Sequence, residues 1–423
     1  MKTIIIGGGA SGLAAAAFSD RAHLLEKLPD PGRKILATGG GRCNFCHSGS
    51  ANDIAEAFNS NAARRFVRPA LQAFPPQAQV DWFADIGVAC KEETNGCWYP
   101  ETERAGSIRD ALLKAAQKSG TQIEIGCEVV EILTDNGAVS GVRTADGRTL
   151  PADRVILACG GAARPGLGSD GTVWRIAHSL GLSAVPPRPA LGALYFENRE
   201  TSFSQLSGVT LPNAEIRLRK GQPGLSGGKR TVFRGGLLLT GSGLSGPAAL
   251  NACASVASVL DHRPANDDGK PVGDLSWRAD RTKPEEWRSL FETERLDHGT
   301  RLVRTTLAAF LPASLAEALC EMASIRPDCR NCQLRREHLL LLSTLCAAFP
   351  LHIDHTDSLQ QAMVSGGGLS LDEWKAATLE CRTVKHLYAA GEAFDVDALC
   401  GGYHLSWAWA SGRLAALSAQ SAP

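Results

Sequence analysis

The first 26 residues constrain the fold more than any other stretch of the chain. Thr3–Ile6, TIII, is apolar and β-branched, as a strand buried on both faces of a parallel sheet should be. It runs straight into GGGASG, which sets Gly7, Gly9 and Gly12 at G-x-G-x-x-G spacing, and then into LAAAAF, which reads as a helix. A second apolar strand over residues 22–25 ends at Glu26. Each glycine has a physical task in such a unit. Gly7 makes the tight turn, Gly9 admits a pyrophosphate against bare backbone, and Gly12 lets helix and strand pack closely. The helix start, at Ala10 and Ser11, offers unpaired N–H groups and the positive end of a dipole to phosphates. Glu26 can accept hydrogen bonds from a ribose diol, and its charge disfavours a 2′-phosphate; Lys27 follows it. Only 19 residues separate Gly7 from Glu26, so the first helix is expected to be about one turn short.

NAD and FAD proteins share this opening, and three later segments favour FAD. Residues 122–150 read as a small antiparallel meander, broken by the turns Asp135-Asn136-Gly137 and Asp146-Gly147, with Val129 at its start. Residues 155–158 form an apolar strand that ends at Ala158 and meets Gly160-Gly161. Near the C-terminus a strand over 387–390 meets Gly391-Glu392, and Gly401-Gly402 opens a helix running through Trp407 to Leu414. A strand ending in Gly-acid can place a carboxylate on a ribityl chain. A helix N-terminus can stabilise negative charge on a reduced flavin.

Charge and cysteine usage limit the partners. Lys+Arg and Asp+Glu are both 44, so the balance argues against nucleic-acid or anionic-membrane binding. No apolar run reaches membrane-spanning length, and the apolar residues 4–6 are too few for a secretory leader. Thirteen cysteines without such a leader read as reduced thiols, so a cytoplasmic protein is expected. The expected partner is a small-molecule substrate, and the oligomeric state is left open.

The motifs GRKILATGGGRCN (residues 32–44), GLSGPAAL (243–250) and AGEAFDVDALCGGYHL (390–405) give the chain a resemblance, over nearly its whole length, to the HI0933-like flavoproteins. These are described as FAD-dependent, NAD(P)-linked oxidoreductases, and some are named aminoacetone oxidases or bile-acid-pathway reductases. The resemblance implies an α/β architecture: a Rossmann-type, glutathione-reductase-like FAD-binding domain interrupted by an inserted middle region. It implies that Gly7, Gly9, Gly12, Glu26, Lys34, Gly39, Gly40, Gly41, Arg42, Gly160, Gly161, Gly391, Glu392, Gly402 and Leu405 lie near FAD. Ala10, Ser11, Lys27, Thr38, Cys43, Asn44, Val129, Ala158, Asp397, Tyr403 and His404 complete the candidate cofactor site. The chain departs from the family pattern at Thr240-Gly241, where a histidine usually follows the threonine. It departs again at Gly402-Tyr403-His404-Leu405-Ser406, where relatives usually read G-G-Y-N-L-Q.

The expected organisation is an FAD domain over 1–190 and 356–423, a β-rich insert over 191–280 and a helical subdomain over 281–355. The β-type runs are AEIRLRK, TVFRG and GLLLT. The helical runs are EEWRSLFETERL, LVRTTLAAFL, ASLAEALCEMA and EHLLLLSTLCAAF, with apolar residues recurring every three and four positions.

Flavin chemistry asks the protein for binding, orientation and electrostatics, so no triad is needed. Cys43, Asn44, Arg164, Tyr403 and His404 are the polar candidates for substrate contact. His404 is a candidate proton donor or acceptor and equally a structural histidine at a helix start. Arg164 suits a carboxylate, a phosphate or a loop salt bridge. Two C-x-x-C pairs, Cys43/Cys46 and Cys329/Cys332, fall in different expected domains, so no zinc site is assigned. A dithiol oxidoreductase using Cys43/Cys46 is an alternative, although redox pairs in such flavoenzymes usually have four intervening residues. A non-enzymatic redox sensor is another. Electrons are expected to pass between a small organic substrate, FAD and either NAD(P)H or oxygen. No second G-x-G-x-x-G is read as Rossmann-type, so any nicotinamide is expected to bind transiently over the flavin.

Overall fold

The computed structural model describes residues 2–196, 205–225, 230–264 and 271–421. Two compact units emerge, one from Met1–Arg188 with Leu359–Pro423 and one from Pro189–Ser358. The first is organised by a five-stranded, wholly parallel sheet. Its strands are β1 (Thr3–Ile6), β2 (His23–Glu26), β3 (Gln122–Ile125), β4 (Arg154–Leu157) and β5 (Leu387–Ala389), in the spatial order β5-β4-β1-β2-β3. All four residues of β1 are buried, with Ile5 opposite Leu24 on one side and Ile156 on the other. The order reverses between β1 and β4. In open α/β sheets such a switch point leaves a crevice outside the carboxyl ends of the strands, where ligands bind.

Helix α1 (Ala10–Phe18) has 9 residues, in keeping with the short Gly7-to-Glu26 spacing. Gly12 is obligatory there: a Cβ would lie 1.8 Å from the Gly7 carbonyl oxygen. Helix α2 (Tyr403–Ser421) packs against α1 through small residues, and its indoles anchor neighbouring loops. Trp407 Nε1 donates to Gly391 O at 3.0 Å and Trp409 Nε1 to Phe45 O at 2.9 Å. The C-terminal segment is therefore woven into the same core as the first strand.

One strand differs from expectation. Gln122–Ile125 joins the parallel sheet beside β2, and only Val129–Asp135, Ala138–Thr144 and Thr149–Pro151 make the antiparallel meander. As an edge strand, β3 is half exposed, and its alternating pattern is the same for either pairing direction.

The second unit holds a seven-stranded sheet centred on the hairpin Thr210–Leu218 and Val232–Thr240. The expected runs TVFRG and GLLLT are one continuous strand. Helix Pro247–Asp261 was not expected: most of its positions are buried all round, so it shows no amphipathic period. Helices Pro284–Asp297, Val303–Ala308, Ala313–Met322 and Arg336–Ala347 belong to this same unit rather than to a separate one. Among the described residues, no helix is long and apolar enough to cross a membrane.

Candidate active site

The carboxyl ends of β1, β4 and β5 gather the glycine motifs. Gly7 donates its N–H to Leu25 O at 2.8 Å and adopts φ 101°, with the Ala158 carbonyl only 2.6 Å from where a Cβ would lie. Gly9 is different. It caps α1 in an extended conformation that any residue can adopt, and nothing lies within 4 Å of the position a Cβ would take. No side chain caps the helix and its first turn holds no acid. Bare backbone, free N–H groups and open space fit a pyrophosphate.

Glu26 is buried at 7 % exposure, accepting from Gly8 N–H at 2.6 Å and Leu28 N–H at 2.8 Å. The carboxylate braces the glycine turn and keeps further lone pairs for a diol. Lys27 is engaged by Asp170 at 2.7 Å. Val129 is buried at the head of the meander, which is tied to β2 by Cys127 N–H donating to Glu26 O at 2.9 Å.

Ala158 N–H donates to Ile6 O at 2.9 Å, which carries the β1–β4 pairing up to Gly160-Gly161. Beside them Ser365 Oγ accepts from Ala162 N–H at 2.9 Å and donates to Glu392 Oε1 at 3.1 Å. Glu392 Oε1 also accepts from Ser365 N–H at 2.8 Å, and its Oε2 pairs with Lys34 Nζ at 2.7 Å. Lys34 lies 3.4 Å from Ser169 Oγ as well. Helix α2 sets the turn that carries Glu392, because Ser411 Oγ accepts from Gly391 N–H at 2.9 Å. Ser169 and Ser365 carry no motif; only the fold brings them to Lys34 and Glu392.

The loop Thr38–Gly41 has three successive left-handed glycines, Gly39, Gly40 and Gly41, at φ 56°, 66° and 90°. Nothing lies within 4 Å beyond Gly40 or Gly41, a second bare backbone surface. Thr38 Oγ1 donates to Ile35 O at 2.6 Å and Thr38 O accepts from Cys43 N–H at 3.1 Å. The Arg42 guanidinium binds Glu93 and Glu103 and lies 4.1 Å over the Tyr99 ring, so it locks the loop to the strand Cys97–Pro100. Asn44, oriented to pair donors with acceptors, donates to Cys46 O at 3.0 Å and accepts from Gly402 N–H at 3.3 Å.

Cys43 and Cys46 are both fully buried and free. Burial pushes each thiol up to about 12. Cys46 Sγ faces Gln79 Oε1 at 3.6 Å and Pro76 O at 3.8 Å. Exchange chemistry needs an accessible thiolate, which argues against the dithiol alternative.

At the start of α2, Tyr403 stacks on His47, with centroids 4.7 Å apart and planes at 20°. His47 was not anticipated; it ends the two-residue strand Cys46–His47, and its Nδ1 bonds Ser48 O at 2.8 Å. His404 meets a different loop. Its Nε2 accepts from Ala398 N–H at 3.0 Å, and burial pushes its imidazole down, against the opposing pull of Glu392 and Asp397. Through Nε2 the ring holds the loop that carries Ala398. Asp397 accepts from Asn59 Nδ2 at 2.9 Å, and Leu405 is half-buried one position on. Arg164 adopts a left-handed conformation, φ 62° and ψ 60°, on the loop beyond Gly161. The loop salt bridge, one of the three roles open to it, does not form among the described residues; Nη2 lies 3.5 Å from Met363 Sδ.

The chain is similar to several known proteins. The chain is 32% identical over 428 residues to the 3-dehydro-bile acid delta(4,6)-reductase of Clostridium scindens, covering 99% of each chain. It is 30% identical over 415 residues to the ribosomal RNA dihydrouridine synthase of Escherichia coli, covering 96% of this chain and 95% of that one. In fold it is similar to the 3-ketosteroid delta1-dehydrogenase of Sterolibacterium denitrificans, with a TM-score of 0.50 at 12% identity and 99% coverage of both chains. The model of the HI0933-like protein Rossmann domain matches residues 1–418, and the chain belongs to this family of FAD-dependent oxidoreductases.

Proposed function

We propose that this protein is an FAD-dependent reductase that saturates a carbon–carbon double bond conjugated to a carbonyl group in a small molecule, drawing electrons from NAD(P)H. One observation carries the reading. The two relatives above are named for different substrates, a 3-oxo bile acid and uridine in ribosomal RNA, yet both names describe adding hydrogen across a double bond next to a carbonyl. The reaction balances as NAD(P)H, one proton and the alkene giving NAD(P)⁺ and the saturated carbonyl compound.

When bound, the flavin supplies hydride transfer. The residues that would hold it are the α1 N-terminus with Gly9 for the pyrophosphate, Glu26 for a ribose, Glu392 for the ribityl chain and the Gly39–Gly41 backbone beside the ring. Lys34 pairs with Glu392 Oε2 and so orients the half-buried carboxylate. Tyr403 is the proton donor of this reading: its ring is oriented by the His47 stack. Conjugation places negative charge on the substrate carbonyl as hydride adds, and the N-terminus of α2 supplies the complementary partial charge.

A second reading, reduction of uridine in RNA, is favoured by the identity to the dihydrouridine synthase. The exact charge balance of this chain favours the small molecule, because RNA binding draws on excess cationic charge. The thirteen free cysteines support a cytoplasmic setting.

The test is anaerobic. Purified yellow protein is mixed with NADH or NADPH until the visible flavin band bleaches, and a 3-oxo-4-ene steroid or ribosomal RNA is then added. Recovery of the band with the steroid, with saturated product by mass spectrometry, supports the reading. Recovery with RNA alone replaces it by the second. A band that never bleaches with either nicotinamide, or recovers only in air, overturns both.

A further inference from the structure

Arg164 combines three properties that together call for an anionic ligand. The first is charge without a partner. A guanidinium stays protonated in any protein environment. Most arginines of the first unit, such as Arg42, Arg109 and Arg148, meet carboxylates within 4 Å. Arg164 has none among the described residues. Its Nε is shielded from solvent without an acceptor among the described residues, and Nη2 donates to the thioether sulfur of Met363 at 3.5 Å.

The second is backbone strain. Arg164 is left-handed and precedes Pro165, a position where sterics favour extended conformations. Hydrogen bonds over-determine it: Arg164 N–H donates to Leu359 O at 2.8 Å, and Arg164 O accepts from Leu167 N–H at 2.8 Å. Strained, over-determined backbone concentrates at ligand sites. The third is location. Arg164 follows Gly160-Gly161 by three residues, and its neighbour Met363 precedes Ser365 by two. Ser365 is the residue bonded to Glu392. The cation is thus close along the chain to Gly161 and, through Met363, to the segment that carries Ser365.

We propose that Arg164 is the anchor for a carboxylate group of the substrate, so that the enzyme acts on an acid-bearing conjugated carbonyl compound. This rests on the double-bond reductase reading and narrows its substrate class. The planar guanidinium fork matches a carboxylate through two parallel hydrogen bonds, and the missing acceptor for Nε is what such a ligand would provide. A lysine would keep the charge and lose the fork.

The experiment uses the FAD-loaded full-length protein with a matched pair of probes, a 3-oxo-4-ene steroid acid and its methyl ester. Binding is read from the perturbed visible spectrum of the oxidised flavin without any reductant, and turnover is read separately with NAD(P)H. The wild type is expected to bind the acid about 10- to 100-fold more tightly than the ester, as for a charge-assisted hydrogen-bonded pair. Arg164→Gln brings that ratio close to one through KM for the acid, and Arg164→Lys restores it in part; retained FAD content shows that both variants are folded. Equal acid and ester binding in the wild type, an unchanged ratio in Arg164→Gln, or no binding of either probe overturns the assignment. So does a loss that falls on NADPH, FAD or RNA affinity instead, which would give Arg164 a phosphate partner. If the ratio collapses as expected but neither probe reoxidises reduced flavin, the anchor stands and the double-bond reading falls. If both probes are turned over with equal efficiency by both proteins, the reading stands and the anchor falls.

Discussion

Two glycines of one motif should respond in opposite ways to the same added methyl group. At Gly9 the backbone is extended, φ −77°, and a Cβ meets nothing within 4 Å. Gly9→Ala should fold normally, with stability equal to the wild type or raised by up to about 1 kcal/mol through the stiffer unfolded chain. At Gly12 a Cβ would lie 1.8 Å from Gly7 O, and that oxygen is backbone. Ordinary contact begins near 3.4 Å, so α1 and the β1 turn must separate by more than an ångström. Overpacking of this kind costs about 1–3 kcal/mol or more. Their effects on the cofactor should converge. The open space over Gly9 is where a pyrophosphate would approach, and losing one charge-assisted hydrogen bond costs about 1.5–3 kcal/mol, or roughly 10- to 150-fold in FAD affinity. The assay pairs thermal unfolding of FAD-stripped protein with FAD titration by fluorescence quenching. The expected pattern is Gly9→Ala with an unchanged or slightly raised Tm and weakened FAD binding, and Gly12→Ala with both lowered. Wild-type FAD affinity in Gly9→Ala would refute the assignment of that bare backbone to the pyrophosphate. A wild-type Tm in Gly12→Ala would refute the close helix–strand approach.

The Arg42 clamp carries a pH signature. Arg42 and Lys91 hold the Glu103 carboxyl down to about 2, so its contribution is present above the ordinary carboxylate range and is lost as pH falls towards 2. Arg42→Gln should therefore lower Tm at neutral pH, with the gap to wild type closing in acid; a gap that stays constant with pH removes the ion-pair explanation. The buried thiols predict selective labelling. With Cys43 and Cys46 both pushed up to about 12, a thiol reagent at neutral pH should modify exposed Cys332 and leave that pair intact until the protein is denatured. Rapid modification of Cys43 or Cys46 in native protein, mapped by mass spectrometry, would restore the dithiol alternative.

How far the site could be read in advance depended on whether its residues signal locally. The motif at Gly7, Gly9 and Gly12 did, because a tight turn, a bare phosphate approach and a close helix contact each exclude side chains at fixed spacing. The pairing of Arg42 gave no such local signal, because its partners Glu93 and Glu103 are distant in sequence. His404 looked chemical by residue type, yet its role turned on which backbone N–H its ring meets. Helix Pro247–Asp261 escaped detection because burial on every side erases the period that would reveal it.

The sequence by itself determined the parallel sheet, the glycine-lined nucleotide end and the family, since these follow from strand composition and from short-range spacing. Only the tertiary structure decided which charges are satisfied. It joined Lys34 to Glu392 across the chain, stacked Tyr403 on His47, buried both thiols of the C-x-x-C pair and left Arg164 without a carboxylate among the described residues. The physical reason is that pairing and desolvation depend on through-space neighbours at a few ångströms, and spacing along a chain does not encode those distances once the partners lie on different elements.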